Sequence, residues 1–282
     1  MVFEGAKQIS AHCASPRWIY QRRGVKRACH QSQCSIEEPE SFRGPELNGI
    51  RIHYVPHTLE HGSSAALSSL TPADFAEYES INHQGALSRS LMTRAALRRA
   101  LSDEVDNAIT PQQWRFARGD NGRPNLVSSS LDALCPQLDF SCSHAAGMSI
   151  VVVSTRGAVG ADVVSVDPDM ELSLAEMFLA PDEIRSIGDL SKPTPEKRQA
   201  FCRYWAVKEA CLKLNGGALS ERINEIELDP VEDQLKAAPA GDTAYSQVRL
   251  RTWHQSALGR NFVAAIAVNL TKLAPGSTGQ AI

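Results

Sequence analysis

The chain has 282 residues, 43% of them hydrophobic, which is enough for one large domain or two small ones with a real core. A net charge of −3 argues against a general nucleic-acid binder, and no apolar run is long enough to span a membrane. The seven cysteines are scattered singly and odd in number, which fits reduced thiols in a cytosolic protein better than a disulfide framework.

Residues 1–46 carry Arg22-Arg23, Lys26-Arg27 and Glu37-Glu38 with little apolar periodicity. Cys13, Cys29, Cys34, His12 and His30 lie there without the paired C-x2-C spacing of a zinc site. The expectation is a disordered extension. The start also lacks the basic, apolar, small-residue order of a signal peptide.

Ile50 to Val55 alternates and is β-branched, so it reads as a strand. Thr71-Pro72 reads as an N-cap followed by proline at the first helical position. Ala86 to Leu101 is dense in Ala, Leu, Arg and Met and reads as a helix. Arg89 and Ser90 on it could meet a phosphate, whereas Arg98 and Arg99 read as a solvated basic face. Trp114 to Arg118 reads as a short strand, and Gly119 to Pro124 as turn chemistry.

Met148 to Ser154 and Val159 to Val166 are apolar strands that look like a hairpin around Thr155-Arg156-Gly157. Asp162 is the odd residue in the second strand. A carboxylate among valines and alanines is costly to bury unless it is paired or bound to a cation. Ser173 to Leu190 reads as a helix broken near Ala180-Pro181, and a polar loop at 191–195 follows. Phe201 to Leu214 has apolar residues at 201, 204, 207, 211 and 214, the spacing of one helix face. Glu209 and Lys213, four apart, project from one side of it. They are either a surface salt bridge or the two halves of a metal and phosphate site. Gly216-Gly217 ends this region. Residues 226–228, 247–253 and 261–268 read as antiparallel strands. Each half thus runs strand, helices, strands, as a duplicated α+β unit would.

Val159-Gly160-Ala161-Asp162, about forty residues before Trp205-Ala206-Val207-Lys208-Glu209-Ala210-Cys211-Leu212-Lys213, resembles the signature pair of the Sfp-type 4′-phosphopantetheinyl transferases. Gly122-Arg123-Pro124 and Phe140-Ser141-Cys142-Ser143-His144 resemble two further elements of that family, in its order and spacing. The resemblance covers roughly residues 47 to 270. It implies an α+β fold of two similar subdomains related by pseudo-twofold symmetry, here 47–155 and 156–272, followed by a tail at 273–282. It implies transfer of the phosphopantetheine arm from coenzyme A to a carrier-protein serine, with Mg²⁺, releasing adenosine 3′,5′-bisphosphate. A cytoplasmic monomer with no nucleic-acid or membrane partner is expected.

By this resemblance Asp162 and Glu209 hold Mg²⁺, and Glu209 also accepts the serine proton. Lys213 neutralises the pyrophosphate, and Ser143, His144, Arg123, Arg89 and Ser90 contact coenzyme A. The alternatives for single residues are a hairpin-edge cap for His144, a turn role for Ser143 and a plain surface charge for Arg123. Lys208 reads as a structural charge. Two departures stand out. Val164 occupies a position where many members carry a further acid, and Asp74 and Glu77 stand where better-known members carry lysines that bind the 3′-phosphate. A carrier protein is expected to dock near Met177, Phe178 and Leu179 unless those three are core. The competing readings are a catalytically impaired homologue that binds coenzyme A or a carrier protein, and a Mg²⁺-dependent phosphohydrolase.

Overall fold

A computed structural model describes residues 49–57, 67–119, 123–127, 138–173, 175–216, 223–229, 234–238, 245, 247–257 and 259–269. The extension expected over 1–46, the turn residues 120–122, Gly217 and the tail at 273–282 lie outside them.

Two three-stranded antiparallel sheets organise the described residues. The first has β1 (Ile50–Pro56), β4 (Asp139–Ala145) and β5 (Met148–Ser154) in the order β1-β5-β4. The second has β6 (Val159–Ser165), β9 (Val248–Ala257) and β10 (Arg260–Asn269) in the order β6-β10-β9. The topology is the same twice. An edge strand leads into helices, and a hairpin then returns with its second strand inserted beside the first.

The sequence pattern explains this layering. Met148 to Ser154 is buried at every position because β5 is a central strand covered on both faces. Ile150 and Val152 pack with Ile50, Ile52 and Tyr54 into a core that also takes Val159, Ala161 and Val163 of β6 and Phe262, Ala264 and Ile266 of β10. Val151 and Val153 point the other way, to Leu97 and Leu101 of α2 (Gln84–Glu104). The second sheet is mirrored in logic. Val263, Ala265 and Ala267 face Val207, Ala210 and Cys211 of the long helix at Pro195–Leu214. The order of layers is therefore helix, sheet, sheet, helix. Each fully buried Val, Ile or Leu in them contributes about 1.5–3 kcal/mol. Trp253 Nε1–H donates to the Tyr54 hydroxyl across the two sheets.

The smaller elements are α1 (Pro72–Glu77), β2 (Phe116–Arg118), β3 (Pro124–Leu126), α3 (Ala175–Phe178) and α4 (Pro181–Ile187). The long helix at Pro195–Leu214 is α5, and β7 (Glu227–Leu228) pairs with β8 (Leu235–Ala237). Thr71 caps α1 with Pro72 at its first position, as expected, and the break before Pro181 separates α3 from α4.

Two expectations are corrected. First, Met148–Ser154 and Val159–Ser165 do not form a hairpin. β5 already has neighbours on both edges, so the short link at 155–158 hands the chain to the other sheet, where β6 pairs with β10. Second, Arg98 is not on a solvated face. It is buried, donating to Asp74 Oδ1 at 2.9 Å and to the carbonyls of Pro111 and Trp114 at 2.8 and 2.9 Å. Arg94 beside it pairs with Glu77 at 2.8 Å, and the Phe116 ring lies against both guanidiniums. Asp74 and Glu77 are thus neutralised by arginines. Burial alone would raise the Asp74 pKa, but hydrogen bonds from Arg98 and Thr71 hold it below the usual range. Arg99 is exposed, as expected. The polar loop at 191–195 leads into α5 as expected: the helix begins at Pro195, because Thr194 accepts from the Lys197 N–H and Pro195 supplies the first helical φ.

Candidate active site

β6 exposes Gly160, Asp162 and Val164 on one side of its pleat and Val159, Ala161 and Val163 on the other. The first set faces α5. Gly160 allows this approach, since a Cβ there would lie 1.9 Å from the Ala210 carbonyl oxygen. On α5, residues 205, 209 and 213 are four apart and form one stripe beside the strand. Trp205 and Glu209 line a cavity of about 390 Å³ together with His144, Asp162, Val164 and Ser165.

Lys213 reaches across to the strand. Its Nζ donates to Asp162 Oδ1 at 2.6 Å and lies 2.9 Å from Ser143 Oγ. Ser143 Oγ–H donates to the same Asp162 oxygen at 2.5 Å. Glu209 stands beside this triplet with Oε1 buried and without a partner. Burial raises its pKa first, the Asp162 charge raises it further, and Lys213 partly offsets both. The structure therefore brings Asp162, Glu209, Lys213, Ser143 and His144 together. Among the described residues there is no cluster of three or more His, Cys, Asp or Glu able to hold a metal. Val164 contributes an apolar patch of the cavity wall.

The expected residues outside this group separate into two kinds. Arg89 and Ser90 lie in the first half of α2, half-buried, and the positive charge of Arg89 acts on His144. The His144 pKa is lowered, by burial first and then by Arg89 and Lys213. Arg123, by contrast, is spent on protein acceptors. Its Nη2 donates to Asp139 Oδ2 at 2.8 Å and to the carbonyls of Phe140 and Val159 at 2.9 Å, and its Nη1 to the Leu214 carbonyl at 3.2 Å. It clasps the start of β4, the start of β6 and the end of α5.

Sequence reasoning missed the seam beneath the site. Asp139 accepts from the Val159 N–H at 2.8 Å, and Ser141 from the Ala161 N–H at 2.9 Å. With Ser143 they form an alternating row along β4 that fixes the register of β6. The available signal was polar residues at every second position between Asp139 and Ser143. Lys208 is structural, as expected. It is fully buried, 2.7 Å from Glu183, and donates to the Phe178 carbonyl at 3.0 Å. Around the expected docking surface Met177 is exposed, Phe178 packs edge-on against Trp205, and Leu179 is core.

Residues 158–267 match the family model of the 4′-phosphopantetheinyl transferase superfamily, the stretch that carries Asp162, Glu209 and Lys213. A Synechocystis sp. protein, provisionally named as a 4′-phosphopantetheinyl transferase, is 33% identical over 158 residues, 55% of this chain and 61% of its own length. The 4′-phosphopantetheinyl transferase HetI of Nostoc sp. is 32% identical over 136 residues, 47% of this chain and 55% of its own. The L-aminoadipate-semialdehyde dehydrogenase-phosphopantetheinyl transferase of Eremothecium gossypii is 31% identical over 154 residues, 51% of this chain and 52% of its own. The chain thus spans less than two thirds of each of these relatives. Residues 158–267, less than half of the chain, are therefore similar to the 4′-phosphopantetheinyl transferase superfamily.

Proposed function

We propose that the protein transfers the 4′-phosphopantetheine arm of coenzyme A to a serine hydroxyl of an apo carrier protein, with Mg²⁺, releasing adenosine 3′,5′-bisphosphate. The observation that carries the reading is the juxtaposition of Asp162, Glu209, Lys213 and Ser143 at one cavity, in a chain similar to this family.

The donor set fits a hard cation. Asp162 and Glu209 offer only oxygen, they act on each other electrostatically, and Glu209 Oε1 is buried without a partner. Two protein carboxylates suit Mg²⁺, which completes its shell with substrate phosphate and water. When bound, the ion supplies charge neutralisation for the pyrophosphate of coenzyme A.

The protein's own groups do the rest. The acceptor serine oxygen attacks the phosphorus that carries the pantetheine arm, and negative charge builds on the departing phosphate. Lys213 Nζ, held in place by Asp162 and Ser143, is positioned to stabilise that charge. Glu209 takes the serine proton directly or through a water. Arg89, Ser90 and His144 serve the phosphates of the nucleotide end. Val164 leaves one wall of the cavity apolar, so no third acid is asked for there.

The test is incubation with coenzyme A, Mg²⁺ and a panel of apo carrier proteins, read by intact mass. A gain of one phosphopantetheinyl group on a serine supports the proposal. Coenzyme A binding by calorimetry without any transfer supports the impaired, binding-only homologue. Release of phosphate from nucleotides in the absence of a carrier supports a phosphohydrolase.

A further inference from the structure

One histidine that the site described above does not use, His57, lies at the same end of the first sheet as His144. His57 follows the end of β1, and its N–H donates to the Gly147 carbonyl in the β4–β5 turn at 2.8 Å. Its Nε2 lies 2.7 Å from Ser149 Oγ. Ser149 stands opposite His144 on β4 and opposite Val55 on β1. The Thr93 hydroxyl of α2 reaches the same Ser149 oxygen at 2.8 Å, and it also lies 2.8 Å from the carbonyl of Arg89, one turn back. Two strands and a helix therefore bring His57, His144 and Arg89 to one end of the first sheet.

The charge balance at that end is uneven. The groups acting on His57 are Arg89 and His144, and with burial as the larger cause they hold its pKa down to about 4. The groups acting on His144 are Arg89, Lys213 and one acid, Asp162. Arg89 Nε is buried and has no partner. A buried guanidinium donor without an acceptor is costly, a cost that an anion bound there would relieve.

We propose that His57 joins Arg89 and His144 as a specificity residue for the ribose phosphate of the nucleotide donor, a phosphate monoester dianion. The inference rests on the donor reading given above; its new element is His57. With Nε2 engaged by Ser149, Nδ1 is the ring atom left to meet the ligand. A phosphate monoester brings three acceptor oxygens and close to two negative charges. Its charge favours the imidazolium, so binding takes up a proton and strengthens as the pH falls.

The experiment compares coenzyme A with dephospho-coenzyme A, which lacks the ribose 3′-phosphate, by calorimetry near pH 6 and near pH 8. The wild-type protein should prefer coenzyme A, more strongly at the lower pH. His57→Gln should lose about tenfold of that preference near pH 6, the worth of one charge-assisted hydrogen bond, and should lose its pH dependence. Its affinity for dephospho-coenzyme A should equal the wild type's. As a second readout, the His57 imidazole followed by NMR should titrate at higher pH with adenosine 3′,5′-bisphosphate and not with 5′-AMP.

An unchanged preference in His57→Gln, or an equal loss for both ligands, overturns the assignment, the second because it places His57 at the pyrophosphate. Equal wild-type affinity for the two ligands overturns the subsite but leaves the donor reading standing if arm transfer is still observed. No binding of either ligand and no transfer overturns both.

Discussion

Gly160 and Ala210 meet backbone to backbone: a Cβ on the glycine would fall 1.9 Å from the Ala210 carbonyl oxygen and 2.5 Å from the Leu214 nitrogen. Gly160 is not among the glycines with positive φ, so space and not conformational freedom demands it. The contact also sets the spacing of three charged groups, because Asp162 lies two residues beyond Gly160, while Glu209 and Lys213 immediately precede Ala210 and Leu214.

Gly160→Ala must therefore push α5 away from β6. Overpacking of this kind costs about 1–3 kcal/mol, and a displacement of about 1 Å at a catalytic group costs about a hundredfold in rate. Chemical denaturation and the transfer assay should show both losses. Wild-type stability and turnover in this variant would mean that the helix–strand contact does not position the acids.

The buried arginine gives a prediction that local sequence alone would not. Arg98→Met leaves Asp74 buried without its main partner and should destabilise the protein by about 3–5 kcal/mol. Arg99→Met, one position along on an exposed site, should stay within about 0.5 kcal/mol. Denaturation midpoints of the two variants decide this, and equal effects would contradict the buried network.

What separates these two arginines also marks how far the sequence was legible. Helix limits, the apolar strands and the shared side of Glu209 and Lys213 follow from periodicity, which is local, whereas the association of Asp162 with them is what the family resemblance implies. Arg98 is buried because Asp74 and two carbonyls lie across the helix from it, and nothing within a few residues of Arg98 records that. The false hairpin has the same cause. Two apolar strands joined by a short turn look alike whether they pair or part, and the decision rests with β1 and β10 far along the chain. Arg123 carries a motif position, yet its four acceptors come from three separated segments.

Lys208 and Glu209 are adjacent but should respond oppositely to substitution. Lys208→Met strands the Glu183 carboxylate in the core and should cost about 3–5 kcal/mol, while the folded fraction keeps its transfer rate. Thermal melting paired with activity per folded molecule checks this. Loss of the intrinsic rate in folded protein would give Lys208 a part in the chemistry.

Glu209→Gln should do the reverse, removing activity while stabilising the fold. The folded-state pKa of Glu209 lies above its unfolded value, so the native state binds more protons between the two. Wild-type stability accordingly falls as pH rises through that window, and the full penalty persists above it. In chelator-containing buffer the gain from Glu209→Gln should be absent in acid, below the unfolded pKa, and complete in alkali. Melting curves across pH test the sign; a gain that shrinks with rising pH contradicts it.

The central claim is that Asp162, Glu209 and Lys213 together serve phosphopantetheine transfer. Intact-mass measurement of an apo carrier protein, incubated with coenzyme A and Mg²⁺ beside the wild-type or the Glu209→Gln protein, tests it most directly. The account predicts one phosphopantetheinyl group on the carrier serine with the wild type and none with the variant over the same time. An unmodified carrier with the wild type across the panel, or equal modification by both proteins, would contradict it.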